Sequence, residues 1–222
     1  MDSELSAIPT PDKHPIVGRV DYTRIKEQAE GLHGEELVQS LRAELFYAFQ
    51  DAYLEMTPRM TDIAVIQQGP FEYLYDDYAT LEAQGLVPYH PTMEARLLVA
   101  MGRSAPRKPK RDDSRLRGWA GPSLEKYGPG WDRGHFIAYC MGGVVDQFEL
   151  NVFVQRRSLN RGWRSHPRGS QYRRMEDYCA VNLGTFCFSR PIYYDETAKP
   201  TFIEFGLVKI EGELWVECFD NQ

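Results

Sequence analysis

An α+β fold with a mostly antiparallel sheet is the expectation from this sequence, and three observations lead to it. Leu37, Leu41, Leu45 and Phe49, with Ala48 and Ala52 beside them, recur at helical spacing through residues 34–56. Beyond residue 95, short runs of β-branched and aromatic residues follow one another without the regular intervening helices that parallel strands require. One helical stretch, around Tyr172 to Ala180, interrupts them. A chain of 222 residues buries its own core without metal or disulfide staples, and 42% hydrophobic content with 26% charged excludes wholesale disorder.

Taken in order, Asp21 to Leu32 and Gly34 to Met56 read as helices, and the β-branched run Ile63 to Ile66 as a strand. Glu72 to Leu86 reads as a further helix, stopped by Gly85 and Pro88. Arg96 to Met101 reads as a strand, a short apolar run whose pattern also fits a helix, and is followed by a loop or extended arm rich in Pro, Lys and Arg over Arg103 to Arg117. Phe136 to Tyr139, Val152 to Val154, Phe186 to Phe188, Phe202 to Val208 and Leu214 to Cys218 complete the expected strands. The change of texture divides the chain near residue 90, into a largely helical N-terminal segment, 1–90, and a domain, 91–222. The first segment holds no chemistry: His14, His33 and His90 stand without companions.

The net charge of −6 argues mildly against a nucleic-acid partner, but it averages unlike parts. Residues 1–100 hold 7 Lys and Arg against 17 Asp and Glu, a net of −10; residues 101–174 hold 16 against 6, a net of +10. Charge alone favours a solvated basic loop, so the block needs chemistry beside it. The N-terminus has neither a basic n-region nor an apolar h-region, and no run approaches the roughly 18 apolar residues of a membrane span. The four cysteines form no C-x-x-C pair. They read as reduced thiols of a cytoplasmic protein, with signal-independent secretion left open.

Chemistry concentrates at Asp132-Arg133-Gly134-His135. An imidazole with an ordinary pKa of about 6.5 suits a general base at neutral pH. Arg133, two residues away on an extended chain, points to the same side and offers a rigid fork to a phosphate. Asp132 is placed to orient a neighbouring residue or loop, and Gly134 permits close backbone approach. Downstream lies Asn151, then Gln155, then Leu159-Asn160-Arg161-Gly162. Asn160 offers a neutral carboxamide oxygen, a hard ligand suited to Mg²⁺, which keeps most of its waters. Arginines at 156, 157, 161, 164, 168, 173 and 174 surround it.

This combination resembles the DNA/RNA non-specific endonuclease family, of the Serratia-nuclease and endonuclease G type, with a ββα-metal active site. The segment Pro122 to Trp131, the pair Gly142-Gly143, and the runs Gly184-Thr185-Phe186, Arg190 to Tyr193 and Pro200-Thr201-Phe202 extend the resemblance over roughly residues 95–222. The resemblance implies that His135 is the general base, that Arg133 holds the scissile phosphate, and that Asn160 is the direct protein ligand of Mg²⁺ or Mn²⁺. It implies a glutamate holding metal-bound water, best matched by Glu176. That glutamate lies 16 residues beyond Asn160, across Gly162, Pro167 and Gly169, where the family places it about two helical turns away. Either a basic loop over Trp163 to Gln171 splits the helix, or another acid such as Asp177 takes its place. The products implied carry 5′-phosphate and 3′-hydroxyl ends, and the biological settings that fit are toxin, defence effector and nutritional nuclease.

The substrate expected is DNA and/or RNA, attracted by Arg107 and Lys108 of the basic arm and by Arg156, Arg157 and Arg161, with no membrane involved. His166 is a second candidate base, expected to be an exposed loop residue. Two rival readings remain. One is a degenerate module that grips nucleic acid without cutting it. The other is an interaction protein whose acidic N-terminal half docks a partner, an inhibitor or an immunity protein, or masks the basic block.

Overall fold

The structure, a computed structural model, describes residues 19–89, 94–107, 127–144, 150–163, 165 and 168–222. Helix α1 (Tyr22–Gln28) starts at Asp21, whose carboxylate accepts the Arg24 backbone N–H at 3.0 Å. Helix α2 (Gly34–Met56) buries the expected stripe of Leu37, Leu41, Leu45, Phe49 and Ala52. Strands β1 (Ile63–Gln68) and β2 (Phe71–Asp76) follow, then a short helix α3 (Tyr78–Ala83) and strand β3 (Arg96–Arg103). A ribbon of β4 (Trp131–His135) and β5 (Val152–Arg156) leads into helices α4 (Arg157–Asn160) and α5 (Gly169–Val181). Strands β6 (Phe186–Ile192), β7 (Phe202–Val208) and β8 (Leu214–Asp220) end the chain.

The main sheet has six strands in the order β1-β2-β3-β6-β7-β8, every neighbouring pair antiparallel. Side chains of a strand alternate between faces, so this sheet builds two cores. On one face, Phe186, Phe188, Leu98 and Met101 meet Ile25 of α1 and Leu41, Leu45 and Phe49 of α2. On the other, Cys187, Ile203, Phe205 and Leu207 meet Phe153 of the β4–β5 ribbon and Tyr172, Met175 and Cys179 of α5. The sheet is thus the middle of three layers, and the ribbon with α4 and α5 forms the layer that carries the Asp132–His135 motif.

Three expectations are corrected. Residues 72–76 are strand, not helix: Phe71, Tyr73 and Tyr75 alternate toward one core, and the turn at Gly69 and Pro70 folds them against β1. The helical pattern read over 72–86 survives only in α3, capped by Asp77. The strand expected at Phe136 to Tyr139 lies earlier, at Trp131–His135, because the buried Asn151 side chain claims the backbone that follows. Its Oδ1 accepts from Ile137 N at 2.7 Å and its Nδ2 donates to Ile137 O at 2.8 Å, turning the chain into a 3₁₀ turn at Tyr139–Met141. Gly143 packs against the same carbonyl, where a Cβ would stand 1.9 Å from Ile137 O. Finally, the division near residue 90 does not divide the sheet, and the segment 1–90 holds a second strand beside the one expected at 63–66. It supplies β1 and β2, and β2 is hydrogen-bonded to β3, so the sheet runs across residue 90.

A buried ion pair ties α1 to the sheet as well. Arg190 Nη1 donates to Glu204 Oε2 at 2.6 Å, Tyr22 Oη donates to the same oxygen at 2.6 Å, and Arg190 lies over the Phe49 ring. Burial, then the neighbouring Glu204 carboxylate, raises the Tyr22 hydroxyl well above its ordinary pKa and keeps it a donor. Arg190→Met strands the Glu204 charge in the interior and is expected to cost about 3–5 kcal/mol in urea unfolding, with Tyr22→Phe costing less. Equal stability of Arg190→Met and wild type would show that the pair is not holding the layers together.

Candidate active site

In the ribbon, β4 and β5 pair Asp132 with Gln155, Arg133 with Val154 and His135 with Val152. Alternation sets Trp131, Arg133 and His135 on one face of β4, and Asp132 and Gly134 on the other. Gly134 has no room for a side chain. A Cβ there would lie 2.2 Å from Oε1 of Gln155, whose buried carboxamide crosses the strand at that point. The close approach expected of Gly134 is therefore to β5.

Asp132 does what its position implied: it orients a neighbour. Its carboxylate accepts from Arg157 Nε at 2.8 Å, Asn160 Nδ2 at 3.2 Å, and Arg161 Nε and Nη2 at 2.8 and 3.3 Å. Burial pushes the Asp132 carboxyl upward, but hydrogen bonds from Arg161, Arg157 and Asn160 outweigh it and hold the group below the usual carboxylate range. This clasp secures the whole of α4 against β4. With Nδ2 of Asn160 donating to Asp132, the amide carbonyl Oδ1 is turned away from that carboxylate and remains the side chain's acceptor.

Asn160 is also linked to Glu176, through Arg173, which the sequence showed only as one of the surrounding arginines. Arg173 Nη2 donates to the Asn160 backbone carbonyl while its Nη1 donates to Glu176 Oε2 at 2.7 Å. The signal available was the i, i+3 spacing of Arg173 and Glu176 on one helix. Helix α4 ends at Asn160 and α5 begins at Gly169, so Gly169 to Gln171, expected in a loop, open the helix that carries Glu176. Glu176 is buried and Asp177 exposed.

Desolvation raises the Glu176 carboxyl to about 7, against the opposing pull of Arg173, with Asp177 adding to the rise. A carboxyl unfolded near pH 4.3 but folded near 7 destabilises the native chain increasingly between those values, and constantly above them. Glu176→Gln is therefore expected to melt several degrees above wild type at pH 8 in EDTA, and no higher at pH 4. A lower melting point at pH 8 would mean that the Arg173 pair outweighs the burial cost.

The expected substrate-binding residues divide. Arg107 is exposed just beyond β3, and Lys108 lies outside the described residues, as do His14, His90 and His166. Arg156 turns to the C-terminus, with Nη1 donating to the Gln222 carbonyl and 3.6 Å from Asp220. Arg157 and Arg161 are paired with Asp132. The free thiols Cys140 and Cys218 are half-buried, and Cys179 and Cys187 buried. Among the described residues no three His, Cys, Asp or Glu side chains gather to hold a metal, and no helix is long and apolar enough to cross a membrane. A centre built on one Asn carbonyl and waters is of a different kind, and the orientation of Asn160 fits it.

No family model matches this chain, and no curated protein matches it. Among solved structures it is similar to one described as the structure of Sda1 nuclease with bound zinc ion, at 14% identity and a TM-score of 0.36, covering 72% of this chain and 74% of that one.

Proposed function

We propose that this chain is a Mg²⁺-dependent endonuclease, with Mn²⁺ as an alternative ion, that hydrolyses phosphodiester bonds of DNA and/or RNA with little sequence specificity. The observation that carries the reading is the Asp132 clasp. It holds the Asn160 carboxamide in one orientation beside the strand that bears Arg133 and His135, and Arg173 links the same asparagine to Glu176.

His135 accepts a proton from water as the water oxygen attacks phosphorus in line. The new O–P bond forms as the bond to the 3′ oxygen breaks, leaving a 5′-phosphate and, after protonation from solvent, a 3′-hydroxyl. Arg133 donates a charge-assisted hydrogen bond to the non-bridging phosphate oxygens as their charge grows. Asn160 would hold the cation, with Glu176 beyond it. The bound cation would supply charge stabilisation to the phosphate and the departing oxygen. These contacts address the backbone, so base identity has little influence.

The test is product analysis. Oligonucleotides of unrelated sequence incubated with Mg²⁺ are expected to yield 5′-phosphate fragments with dispersed cut sites by mass spectrometry. Products ending in 2′,3′-cyclic phosphate, or cutting confined to one sequence, would overturn the mechanism. Intact strands with retarded mobility would favour the binding-module reading.

A further inference from the structure

We propose that Lys199, Trp131 and Tyr127 form a subsite for an unpaired nucleotide next to the scissile phosphate, making single-stranded nucleic acid the preferred substrate. Resting on the nuclease reading, this adds to it a substrate class. Lys199 Nζ lies 4.4 Å from the centroid of the Trp131 ring and 5.3 Å from that of Tyr127, and the two rings are 5.9 Å apart at 56°. The ammonium thus sits in a cleft between two half-buried aromatic rings.

Charge pairing separates this cation from its neighbours. Arg157 and Arg161 are paired with Asp132, Arg173 with Glu176, and Arg168 with Glu217. Among the described residues, the Lys199 ammonium meets rings and no carboxylate. Its loop is braced, so the position is set in advance: Asp195 Oδ1 accepts from Thr197 N at 2.9 Å and from Thr197 Oγ1 at 2.7 Å, and Ala198 N donates to Glu94 Oε2 at 2.7 Å. A cation held by rings loses little when a phosphate replaces them, and its departure uncovers the ring face that a base stacks on.

The register places this cleft in line with the reacting groups. Trp131, Arg133 and His135 share one face of β4 at steps of roughly 6.6 Å, two residues each. A strand whose phosphate meets Arg133 and His135 brings its neighbouring nucleotide to Trp131. A base must leave its duplex partner to stack there, which sets the preference for unpaired strands.

Fluorescence anisotropy in EDTA tests the subsite with labelled oligo-dT, oligo-rU, an abasic strand of equal length and a duplex. Lys199→Ala, in a loop, is expected to weaken dT and abasic strands alike and to reduce the log–log salt slope by about 0.7. Trp131→Ala is expected to weaken oligo-dT about tenfold and to leave the abasic strand unchanged. Trp131→Phe, which preserves the packing, is expected to abolish the tryptophan fluorescence change that oligo-dT produces in the wild type. The rU arm tells RNA from DNA as the source of the unpaired strand, and base-dependent binding of either supports the subsite. Wild-type affinity in Lys199→Ala and Trp131→Ala, or equal losses for dT and abasic strands in Trp131→Ala, overturns it. A chain that cuts plasmid with Mg²⁺ while the variants bind like wild type loses the subsite and keeps the nuclease reading. A chain that cuts nothing yet shows the base-dependent loss keeps the subsite and loses the reading.

Discussion

His135→Ala is expected to lower Mg²⁺-dependent cleavage of DNA and RNA by about 10³-fold or more, while nucleic-acid binding stays near the wild-type level. The imidazole ends β4, with Val152 opposite, and the Asn151 clasp on Ile137 fixes where the strand stops. Removing the ring leaves that backbone in place, so the loss falls on proton transfer rather than on folding. His33 is at the α2 N-terminus, in the helical layer across the sheet from the ribbon, and His33→Ala is the matching control with unchanged activity. Full activity of His135→Ala, with an unaltered melting curve, would show that this histidine is not the base.

The second large effect is expected from a residue that touches neither substrate nor metal in this account. Asp132→Ala removes the acceptor of Arg157, Asn160 and Arg161 at once, freeing the Asn160 amide to rotate and α4 to leave the strand. Misplacement of a ligand on this scale costs about 10²-fold in kcat. The Mg²⁺ concentration for half-maximal activity is expected to rise about 10- to 100-fold, as for other residues that orient a metal ligand. Excess Mg²⁺ then restores part of the activity of Asp132→Ala but none of that of Asn160→Ala, which lacks the ligand itself. Unchanged Mg²⁺ dependence in Asp132→Ala would remove the orienting role.

Much of this architecture is legible in the residues, and the exceptions have physical causes. Helix α2 spans the predicted 34–56 because its apolar stripe and the following polar break are both local. The strands β3, β6, β7 and β8 lie where short apolar runs placed them, with β6 extending past the expected 186–188 to Ile192. The stretch after Gly69 carries both periods: Tyr75 and Tyr78 fit a helix, while Phe71, Tyr73 and Tyr75 fit a strand, and pairing with β1 and β3 decides the matter. Asn151 ends β4 through a side chain 14 positions away, which no local window detects.

At the site, the types of group were readable and their pairings were not. The arginines around Asn160 read as a phosphate-binding cluster, yet Arg157, Arg161 and Arg173 are paired with Asp132 and Glu176. The lysine in the aromatic cleft lies outside the basic block, on the loop between β6 and β7. The acidic first hundred residues, a candidate mask for the basic block, also build the sheet through β1 and β2, and Tyr22 anchors α1 to it by donating to Glu204 of β7. Deleting residues 1–90 removes two strands and the helical layer, so the Glu35–Arg103 ion pair, which joins the acidic segment to the basic block, is the place at which to examine masking.

The central claim is metal-dependent phosphodiester hydrolysis at the Asp132–His135 and Asn160 site. Its most direct measurement is the conversion of supercoiled plasmid by the purified full chain in Mg²⁺, with and without EDTA. Nicked and then linear DNA in Mg²⁺, and unchanged supercoil with EDTA, is the predicted result. Supercoiled plasmid left intact at every Mg²⁺ and Mn²⁺ concentration, or cut equally in EDTA, would contradict it.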